Sequence, residues 1–257
     1  MSDQFVLETQ GLVKEFKGFV AVDDVNLKVN RGHIHALIGP NGAGKTTVFN
    51  LLTKFLRPTR GKILFNGKDI TPMKSAAIAR MGVVRSFQIS AVFPHMTALE
   101  NVRIALQSFE GSSFHFWKSG GSLDRLNERA MELLDSVGLM EFADTITVEL
   151  AYGRKRALEL ATTLAMEPQL LLLDEPTQGM GGEDVERVVE LVRKAAEGRT
   201  VLMVEHNLGV VSKLCDCITV LSQGQVLTEG DYQSVSDDPR VREVYMGTES
   251  TSTEVAE

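Results

Sequence analysis

Apolar and polar positions alternate along the first part of the chain, which predicts antiparallel strands. In the segment 24–29 every second side chain is apolar, the pattern of a strand with one buried face. Another strand is predicted from Ile63 to Phe65, because it ends at Asn66-Gly67, a dipeptide that favours tight hairpin turns. These segments indicate an antiparallel sheet near the N-terminus.

A strand of a different kind lies between these two. Residues 33–38, HIHALI, form a mainly apolar run that leads into a glycine-rich loop, and residues 46–56 then have the spacing of a helix. His33 and His35 flank Ile34 in this strand, and we interpret both histidines as structural residues.

The middle of the chain has helical spacing. Leu99, Val102 and Leu106 predict one helix, and the apolar residues from 126 to 137 predict a second helix that Gly138 caps. Between them, residues 109–122 carry the single tryptophan and three phenylalanines among glycine and serine. These aromatic side chains either pack on the two helices or form a contact surface for a partner.

The last third of the chain has the pattern of a parallel sheet. The leucines at 170–173 and the segment TVLMV at 200–204 are short apolar strands, and residues 185–196 between them have helical spacing. Strand, helix and strand in this order indicate parallel strands joined by a crossover. The segments CITVL and QVLTEG, on either side of SQG, predict a closing hairpin.

The composition excludes some classes of protein. The chain carries 27 Lys and Arg against 34 Asp and Glu, a net charge of −7, so no overall basic field attracts nucleic acid. No apolar run reaches the roughly 18 residues that a membrane-spanning helix needs, and the N-terminus does not resemble a secretion signal. We therefore expect a cytoplasmic protein that does not bind nucleic acid.

The two cysteines, Cys215 and Cys217, form a C-x-C pair. Neither a second cysteine pair nor a nearby histidine pair completes a zinc site of familiar spacing. We interpret both as small, structurally neutral side chains near a helix-to-strand junction.

The glycine-rich loop carries the clearest chemical signal. It fits the motif G-x-x-x-x-G-K-[ST], and it lies after a predicted strand and before a predicted helix, where a phosphate-binding loop belongs. Its backbone N–H groups can surround phosphate oxygens, the lysine can reach the β- and γ-phosphates, and the threonine hydroxyl can bind Mg²⁺. The expected ATP-binding residues are Gly39, Pro40, Asn41, Gly42, Ala43, Gly44, Lys45, Thr46 and Thr47.

Two further segments supply the groups that such a loop needs. Asp174 follows an apolar strand and is the expected second ligand of Mg²⁺, while Glu175 is the expected base that polarises the attacking water. His206 follows the next apolar strand, and because parallel strands end at one rim we expect it near Asp174 and Glu175.

These elements predict an α/β fold with a P-loop NTPase core, a mostly parallel sheet, an N-terminal antiparallel β-subdomain and an inserted α-helical subdomain. We expect a single domain over 1–247, with 1–87 and 169–247 as the core and 88–168 as the helical insertion. The polar residues 248–257 are expected to be disordered.

The motifs, in their order along the chain, resemble the nucleotide-binding subunit of an ABC transporter. They are GPNGAGKTT, the glutamine of VVRSFQ, LAYGRKRALELA, LLLLDEPT and MVEHN, and the resemblance covers nearly the whole chain. It implies an ABC ATPase fold and two subunits arranged head to tail, with each ATP between the phosphate loop of one and the signature helix of the other. The implied signature residues are Leu150, Ala151, Tyr152, Gly153 and Arg154. The helix predicted over 153–166 begins at Gly153, where free N–H groups favour an anion.

The resemblance also implies roles for three other residues. Phe16 matches the aromatic residue that stacks on adenine, with Val22 nearby; the less favoured alternative is that Phe16 belongs to the core. Gln88 matches the glutamine that contacts Mg²⁺ and water and links the site to the membrane subunits. The segment that follows it, 89–102, resembles the region that grips a coupling helix of the membrane subunit.

The chain departs from the usual family pattern in two places. Ala151, Tyr152 and Arg154 replace residues of the common Leu-Ser-Gly-Gly-Gln signature, which removes a serine hydroxyl, and Gly181 stands where many relatives have aspartate. However, LAYG, GMGGED and the terminal VREVYMG resemble the ATPases of branched-chain amino acid importers.

We therefore expect an ATP-hydrolysing subunit that powers two separate membrane permeases served by a substrate-binding protein, as a homodimer or with a related second ATPase. The expected cargo is a branched-chain amino acid or a related small polar solute, and we expect the subunit to lie on the inner face of the membrane. The alternatives are the ATPase of a lipopolysaccharide exporter, a non-transport soluble ABC ATPase, or a module that binds ATP without hydrolysing it. Glu175 and His206 argue against the last of these.

Overall fold

The computed structural model describes residues 4–86, 92–109 and 120–251, with the backbone alone at 120–124 and 246–251. Within these ranges no helix is long and apolar enough to cross a membrane. The chain divides into two units, residues 1–78 with 198–257 and residues 79–197, and each is described by itself.

The elements are numbered along the chain. The strands are β1 (Phe5–Phe16), β2 (Phe19–Val25), β3 (Lys28–Asn30), β4 (Ile34–Ile38), β5 (Arg60–Phe65), β6 (Lys68–Asp69), β7 (Val83–Arg85), β8 (Leu170–Asp174), β9 (Thr200–Val204), β10 (Cys217–Ser222) and β11 (Gln225–Gly230). The helices are α1 (Lys45–Leu52), α2 (Ser75–Arg80), α3 (Ala98–Phe109), α4 (Gly120–Ser136), α5 (Tyr152–Leu164), α6 (Gly182–Ala196), α7 (Leu208–Leu214), α8 (Tyr232–Asp237) and α9 (Pro239–Thr251). Short 3₁₀ helices lie at Met140–Phe142 and Thr147–Glu149.

The first unit contains the predicted antiparallel sheet, in the order β2-β1-β5-β6, with β3 also paired to β1. The alternation over 24–29 is confirmed, since Val25, Leu27 and Val29 are fully buried. The prediction of one continuous strand is wrong, however. The Asn26 side chain accepts a hydrogen bond from Gly11 N (2.7 Å) and donates one to Asp24 O (2.8 Å). These two bonds hold the break between β2 and β3.

The predicted turn after β5 is confirmed. Asn66 and Gly67 both have positive φ, 49° and 72°, as the twist of a two-residue hairpin requires. The hairpin between β10 and β11 turns in the same way at Gln223 and Gly224.

The parallel strands of the first unit follow the order β10-β4-β9, with β11 antiparallel on the outer side of β10. Every residue of β4 and β9 is buried, as expected for parallel strands covered on both faces. The predicted helix over 46–56 is too long, since α1 stops at Leu52 and Lys54 turns to a φ of 61°. At the C-terminus, α9 ends at Thr251, and residues 252–257 lie outside the described part.

The second unit holds the parallel pair β7 and β8 and the helices α3 to α6. The predicted apolar faces are confirmed, for example at Val188, Val189 and Val192 of α6. The α/β fold with an antiparallel β part and a helical insertion is thus confirmed. Of the aromatic segment 109–122, residues 110–119 lie outside the described residues.

Asn101 organises the start of the helical region. It is 2% exposed, its Oδ1 accepts from Phe93 N (2.6 Å), and its Nδ2 donates to Phe93 O (3.1 Å), Thr97 O (2.9 Å) and Thr147 Oγ1 (3.0 Å). A capping box between Thr97 and Glu100 fixes the first turn of α3 beside it. One buried amide therefore holds the loop at Phe93, the helix and the segment at Thr147 together.

We predict that Asn101→Ala lowers the free energy of unfolding by about 3 kcal/mol, because it leaves several buried polar groups without partners. Chemical denaturation measures this loss. The control is Asn127→Ala, which removes only one bond from Arg103 (3.2 Å) and should stay within about 0.5 kcal/mol of the wild type. Equal losses in the two variants would contradict the role given to Asn101.

Candidate active site

The phosphate-binding loop joins β4 to α1 in the first unit. Ala43 N donates to Pro40 O (3.2 Å), and Val48 N donates to Gly44 O (2.9 Å) as α1 begins. Gly224 N of the β10–β11 turn donates to Ala43 O (3.0 Å), so a second segment supports the loop. Asn41, Gly42 and Thr46 are exposed, which leaves this side of the loop open to a ligand.

Two glycines of the loop cannot be replaced without moving neighbouring backbone. Gly39 has φ 147°, and a Cβ there would collide with Leu221 O of β10. Gly44 has φ 101°, and a Cβ there would lie 2.6 Å from Ala21 O. The motif thus needs glycine for close packing within the unit as well as for room around a phosphate.

Lys45 is held within the loop. It is 6% exposed, and its Nζ donates to Gly39 O (2.7 Å) and Pro40 O (2.9 Å). Two loop carbonyls thereby compensate part of the ammonium charge.

Tyr245 connects the C-terminal helix with the same loop. Its hydroxyl makes a hydrogen bond with the backbone of Gly39, and burial nevertheless raises the pKa of Tyr245 to about 12. The ring lines a cavity of about 150 Å³ that Ile38, Leu208 and Val241 also line. The sequence reasoning used the terminal VREVYMG only as a family resemblance and missed this contact.

His206 lies at the same sheet edge as the phosphate loop. It follows β9, which runs parallel to β4, and its side chain is exposed. The preceding Glu205 is 3% exposed, and its Oε2 accepts from His206 N (2.8 Å) and Asn207 N (3.0 Å). This buried carboxylate, which the sequence reasoning missed, fixes the turn that presents His206.

The hairpin between β1 and β2 carries the candidate adenine contact. Phe16 is 41% exposed, and Lys14 Nζ lies 4.8 Å from the centroid of its ring, so it is not a core residue. Phe19 is more exposed still, at 68%. Val22 is fully buried and offers no side-chain surface in this conformation.

Asp174 ends β8 in the second unit and is paired with a cation. Its Oδ2 accepts from Arg85 Nη2, and the two side chains are only 2% and 11% exposed. Arg85 is the last residue of β7, which runs parallel to β8. The sequence reasoning missed this ion pair, since Arg85 and Asp174 are 89 positions apart.

Glu175 has an unusual backbone conformation. Its φ is 48°, in the left-handed region, although it is not glycine and it precedes Pro176. Such a conformation costs about 1–3 kcal/mol and is found most often at functional sites. Asp174 before it is buried, whereas Glu175 is half-buried.

The signature segment begins α5, and the first five residues of this helix precede its buried part, which starts at Ala157. Ala151 is the N-cap and provides no side-chain hydrogen bond to the first turn. The N–H groups of this turn are therefore suited to an external anion. The helix extends over Tyr152–Leu164, close to the predicted 153–166.

The basic side chains of the signature lie against their own unit. The Arg154 guanidinium lies 3.9 Å from the centroid of the Phe142 ring, and Lys155 Nζ donates to Val148 O (3.0 Å). Arg156 pairs with Glu159 (2.8 Å) and donates to the Tyr152 hydroxyl (3.0 Å). Backbone N–H groups, with Tyr152 (52% exposed) beside them, are thus what this helix tip offers a ligand.

The predicted site residues therefore fall into two sets. The first unit brings together the phosphate loop and His206, while the second carries Asp174, Glu175 and the signature segment. That His206 lies near Asp174 and Glu175 stays a prediction. Gln88 lies outside the described residues.

Thr46 of the first unit is exposed and carries a hydroxyl, Asp174 of the second unit carries a carboxylate, and oxygen donors of this kind are the ligands that Mg²⁺ prefers. That the two residues bind one Mg²⁺ stays a prediction. The partner of Asp174 in the structure is already a cation, Arg85, so this buried position accepts positive charge.

Comparison with protein families gives two matches. The model of the ABC transporter family matches residues 22–178, which include the phosphate loop, the signature segment and Glu175. A model described as branched-chain amino acid ATP-binding cassette transporter matches residues 225–251, which include Tyr245.

The chain is similar over nearly its whole length to transport ATP-binding proteins. It is 40% identical to the high-affinity branched-chain amino acid transport ATP-binding protein BraF of Pseudomonas aeruginosa, over 94% of this chain and 98% of the relative. The identity is 38% with LivG of Escherichia coli (95% and 98% covered). It is 37% with the lipopolysaccharide export system ATP-binding protein LptB of Acidithiobacillus ferridurans (94% and 97% covered).

Solved structures of ABC transporter cassettes are similar to this chain as well. A nucleotide-free ATP-binding cassette of an ABC transporter superposes with a TM-score of 0.82 at 31% identity, covering 94% of this chain and 98% of the other. A dimeric cassette bound to ADP and Pi superposes with a TM-score of 0.74 at 25% identity, covering 88% and 98%.

We predict that Arg85→Met lowers the melting temperature of the nucleotide-free protein, because it leaves a buried carboxylate unpaired at a cost of about 3 kcal/mol. Adding Mg·ATP should raise the melting temperature more than in the wild type, since the metal then supplies the missing positive charge. Calorimetry with and without Mg·ATP measures both effects.

The matched control is Arg156→Met, which breaks the similarly buried pair with Glu159. This variant should lose stability without gaining a larger response to Mg·ATP. The same rise in melting temperature with Mg·ATP in both variants would contradict the hypothesis that Arg85 occupies the position of the metal ion at Asp174.

Proposed function

The chain belongs to the ATP-hydrolysing subunits of ABC transporters, and we propose that it powers an importer of branched-chain amino acids or related small polar solutes. The observation that carries the choice of cargo is the C-terminal match over 225–251, beyond the ATPase core that all such subunits share. The similarity to BraF and LivG over almost the whole chain supports the same choice.

In this proposal the phosphate loop binds the β- and γ-phosphates of ATP. The backbone N–H groups of residues 41–46 surround the phosphate oxygens, and Lys45 exchanges its bonds to Gly39 O and Pro40 O for bonds to phosphate. Phe16 stacks on the adenine ring. Thr46, Asp174 and Gln88 hold Mg²⁺, which when bound neutralises charge on the phosphates.

Glu175 and His206 act on the water that attacks the γ-phosphate. Glu175 accepts a proton as the water oxygen bonds to phosphorus and the bond to the bridging oxygen of ADP breaks. His206 donates to the γ-phosphate, and buried Glu205 keeps the turn in place while it does so. The left-handed backbone at Glu175, directly before Pro176, supports a functional role, because such conformations are costly and cluster at functional sites.

A second ATPase subunit completes each site. The uncapped N-terminus of α5 contacts the γ-phosphate held by the partner through the backbone at Tyr152 and Gly153. The existence of a dimeric cassette with ADP and Pi among the similar solved structures supports pairing of two ATPase subunits. The partner is a second copy or a related ATPase.

Two membrane permeases and a substrate-binding protein complete the transporter, and the chain lies on the inner face of the membrane. The described part of the segment 89–102 supports a permease contact near Phe93. Asn101 holds the backbone of Phe93 by two hydrogen bonds, and the ring is 51% exposed. An aromatic side chain on a fixed backbone is suited to a protein partner.

The second candidate is the ATPase of a lipopolysaccharide exporter. The 37% identity with LptB over nearly the whole chain favours it, because the ATPase core alone does not separate the two classes. The two classes of transporter differ in what they transport, and the ATPase subunit does not contact the transported molecule.

We predict that Glu175→Gln keeps ATP affinity within about threefold of the wild type but abolishes turnover, because the amide preserves the shape of the side chain and cannot take a proton. With Mg·ATP it should accumulate as a dimer in gel filtration. A Glu175→Gln protein that stays monomeric with Mg·ATP would contradict the shared site.

We predict that Lys45→Ala, in contrast, lowers ATP affinity by at least about tenfold.

We also predict which proteins accompany this chain. Purification from native membranes, followed by mass spectrometry, should recover two permeases, and the purified complex should hydrolyse ATP faster when a substrate-binding protein loaded with a branched-chain amino acid is added. The control is the empty binding protein. Recovery of lipid-export subunits instead would select the second candidate.

A further inference from the structure

Four polar side chains gather on one face of the parallel sheet in the first unit, away from the predicted nucleotide residues. His35 of β4 pairs in register with Cys217 of β10, and Thr219 of β10 pairs with Glu229 of β11. Paired residues, and residues two apart on a strand, point to the same face of a sheet. Cys217 and Thr219 therefore lie between His35 on one side and Glu229 on the other.

The hydrogen bonds within this group fix the tautomer of His35. The Thr219 hydroxyl donates to Glu229 Oε2 (2.6 Å), so the hydroxyl oxygen can only accept from the histidine, whose Nε2 lies 2.7 Å away. His35 Nε2 thus carries the proton, and Nδ1 has a free lone pair. His35 is fully buried, and its Nδ1 has no hydrogen-bond partner.

A neutral imidazole of this kind is the form that binds metal ions. Metal-binding histidines commonly donate their second N–H to an oxygen, as His35 does here to Thr219, which fixes the orientation of the ring. Burial lowers the pKa of His35 to about 4, so the ring stays neutral at physiological pH.

Cys217 and Glu229 supply two further ligand atoms. One nitrogen of His35, the Cys217 sulfur and one carboxylate oxygen of Glu229 all lie within 4.8 Å of one another. The ligands of a tetrahedral zinc ion lie about 3.3–3.7 Å apart, so binding through Nδ1 requires the three side chains to move closer together. Glu229 is exposed, which gives an ion a route from solvent.

We propose that His35, Cys217 and Glu229 form a Zn²⁺ site that links β4, β10 and β11. Nitrogen, thiolate sulfur and carboxylate oxygen are all zinc ligands, and water takes the fourth position. Binding displaces the thiol proton of Cys217 to solvent and leaves a zinc–thiolate bond, with no change in oxidation state.

The proposed site has a defined place in the fold. β4 leads directly into the phosphate loop at Gly39, and β10 contacts Gly39 through Leu221. An ion that joins these strands therefore stabilises the part of the sheet that supports the loop. The burial of His35 and the raised pKa of Cys217, to about 11, oppose binding, so we expect a site of moderate affinity.

The experiment is a titration of the chelator-treated, full-length chain with Zn²⁺, read by calorimetry and by melting temperature in the absence of nucleotide. We expect one equivalent to bind and the melting temperature to rise. Cys217→Ser and Glu229→Gln should each weaken binding by at least about tenfold. Cys215→Ser is the matched control, and it should bind within about twofold of the wild type.

A second measurement does not depend on the folding of a Cys217 variant. In Cys215→Ser the single thiol left is Cys217, and Zn²⁺ should slow its reaction with a thiol reagent. Unchanged labelling would overturn the proposal. The proposal would also be overturned if Cys217→Ser bound Zn²⁺ as tightly as the wild type. Equal losses of affinity in Cys215→Ser and Cys217→Ser would overturn it too, since the ion would then lie at the C-x-C pair.

Discussion

The packing of backbone against backbone around the phosphate loop is the constraint on which the first unit depends. Gly39 lies against Leu221 of β10 and Gly44 against Ala21 of β2, with no space for a side chain at either contact. The loop is therefore held in shape by strands that lie far apart in sequence, and Tyr245 adds a hydrogen bond from the C-terminal helix. A rigid loop of this kind has its N–H groups oriented before a phosphate arrives, so binding does not have to order them.

The charged groups of the candidate site already have partners inside the protein. Lys45 donates to two carbonyls of its own loop, and Asp174 pairs with Arg85. Because an unpaired buried charge is costly, these internal partners stabilise the chain without nucleotide. In the proposed function Mg·ATP replaces these partners, so its binding exchanges one set of partners for another.

The histidines show how the same residue type acquires different roles. His206 follows β9 at an exposed turn held by Glu205, whereas His35 lies buried in β4 and bonds Thr219. Our sequence interpretation of His35 as a structural residue agrees with its burial. It could not include Thr219 or Glu229, since β10 and β11 come some 180 residues later and join β4 only through the sheet.

The sequence alone determined the helices and strands, and those parts of the chemistry that depend on residues close together in the chain. The phosphate loop, the buried strands, the Asn66-Gly67 turn and the two carboxylates at the end of β8 follow from the spacing of neighbouring residues, and the structure has them in those places. The break at Asn26 and the early end of α1 were not predictable, because the break rests on two hydrogen bonds of the Asn26 side chain, one of them with distant Gly11, and the end of α1 rests on the dihedral angles at Lys54. Only the tertiary structure decided which distant residues meet: Arg85 with Asp174, Tyr245 with Gly39, and His35 with Cys217 and Glu229. Pairing of strands sets these contacts, and strand register depends on the packing of the whole sheet rather than on any one segment.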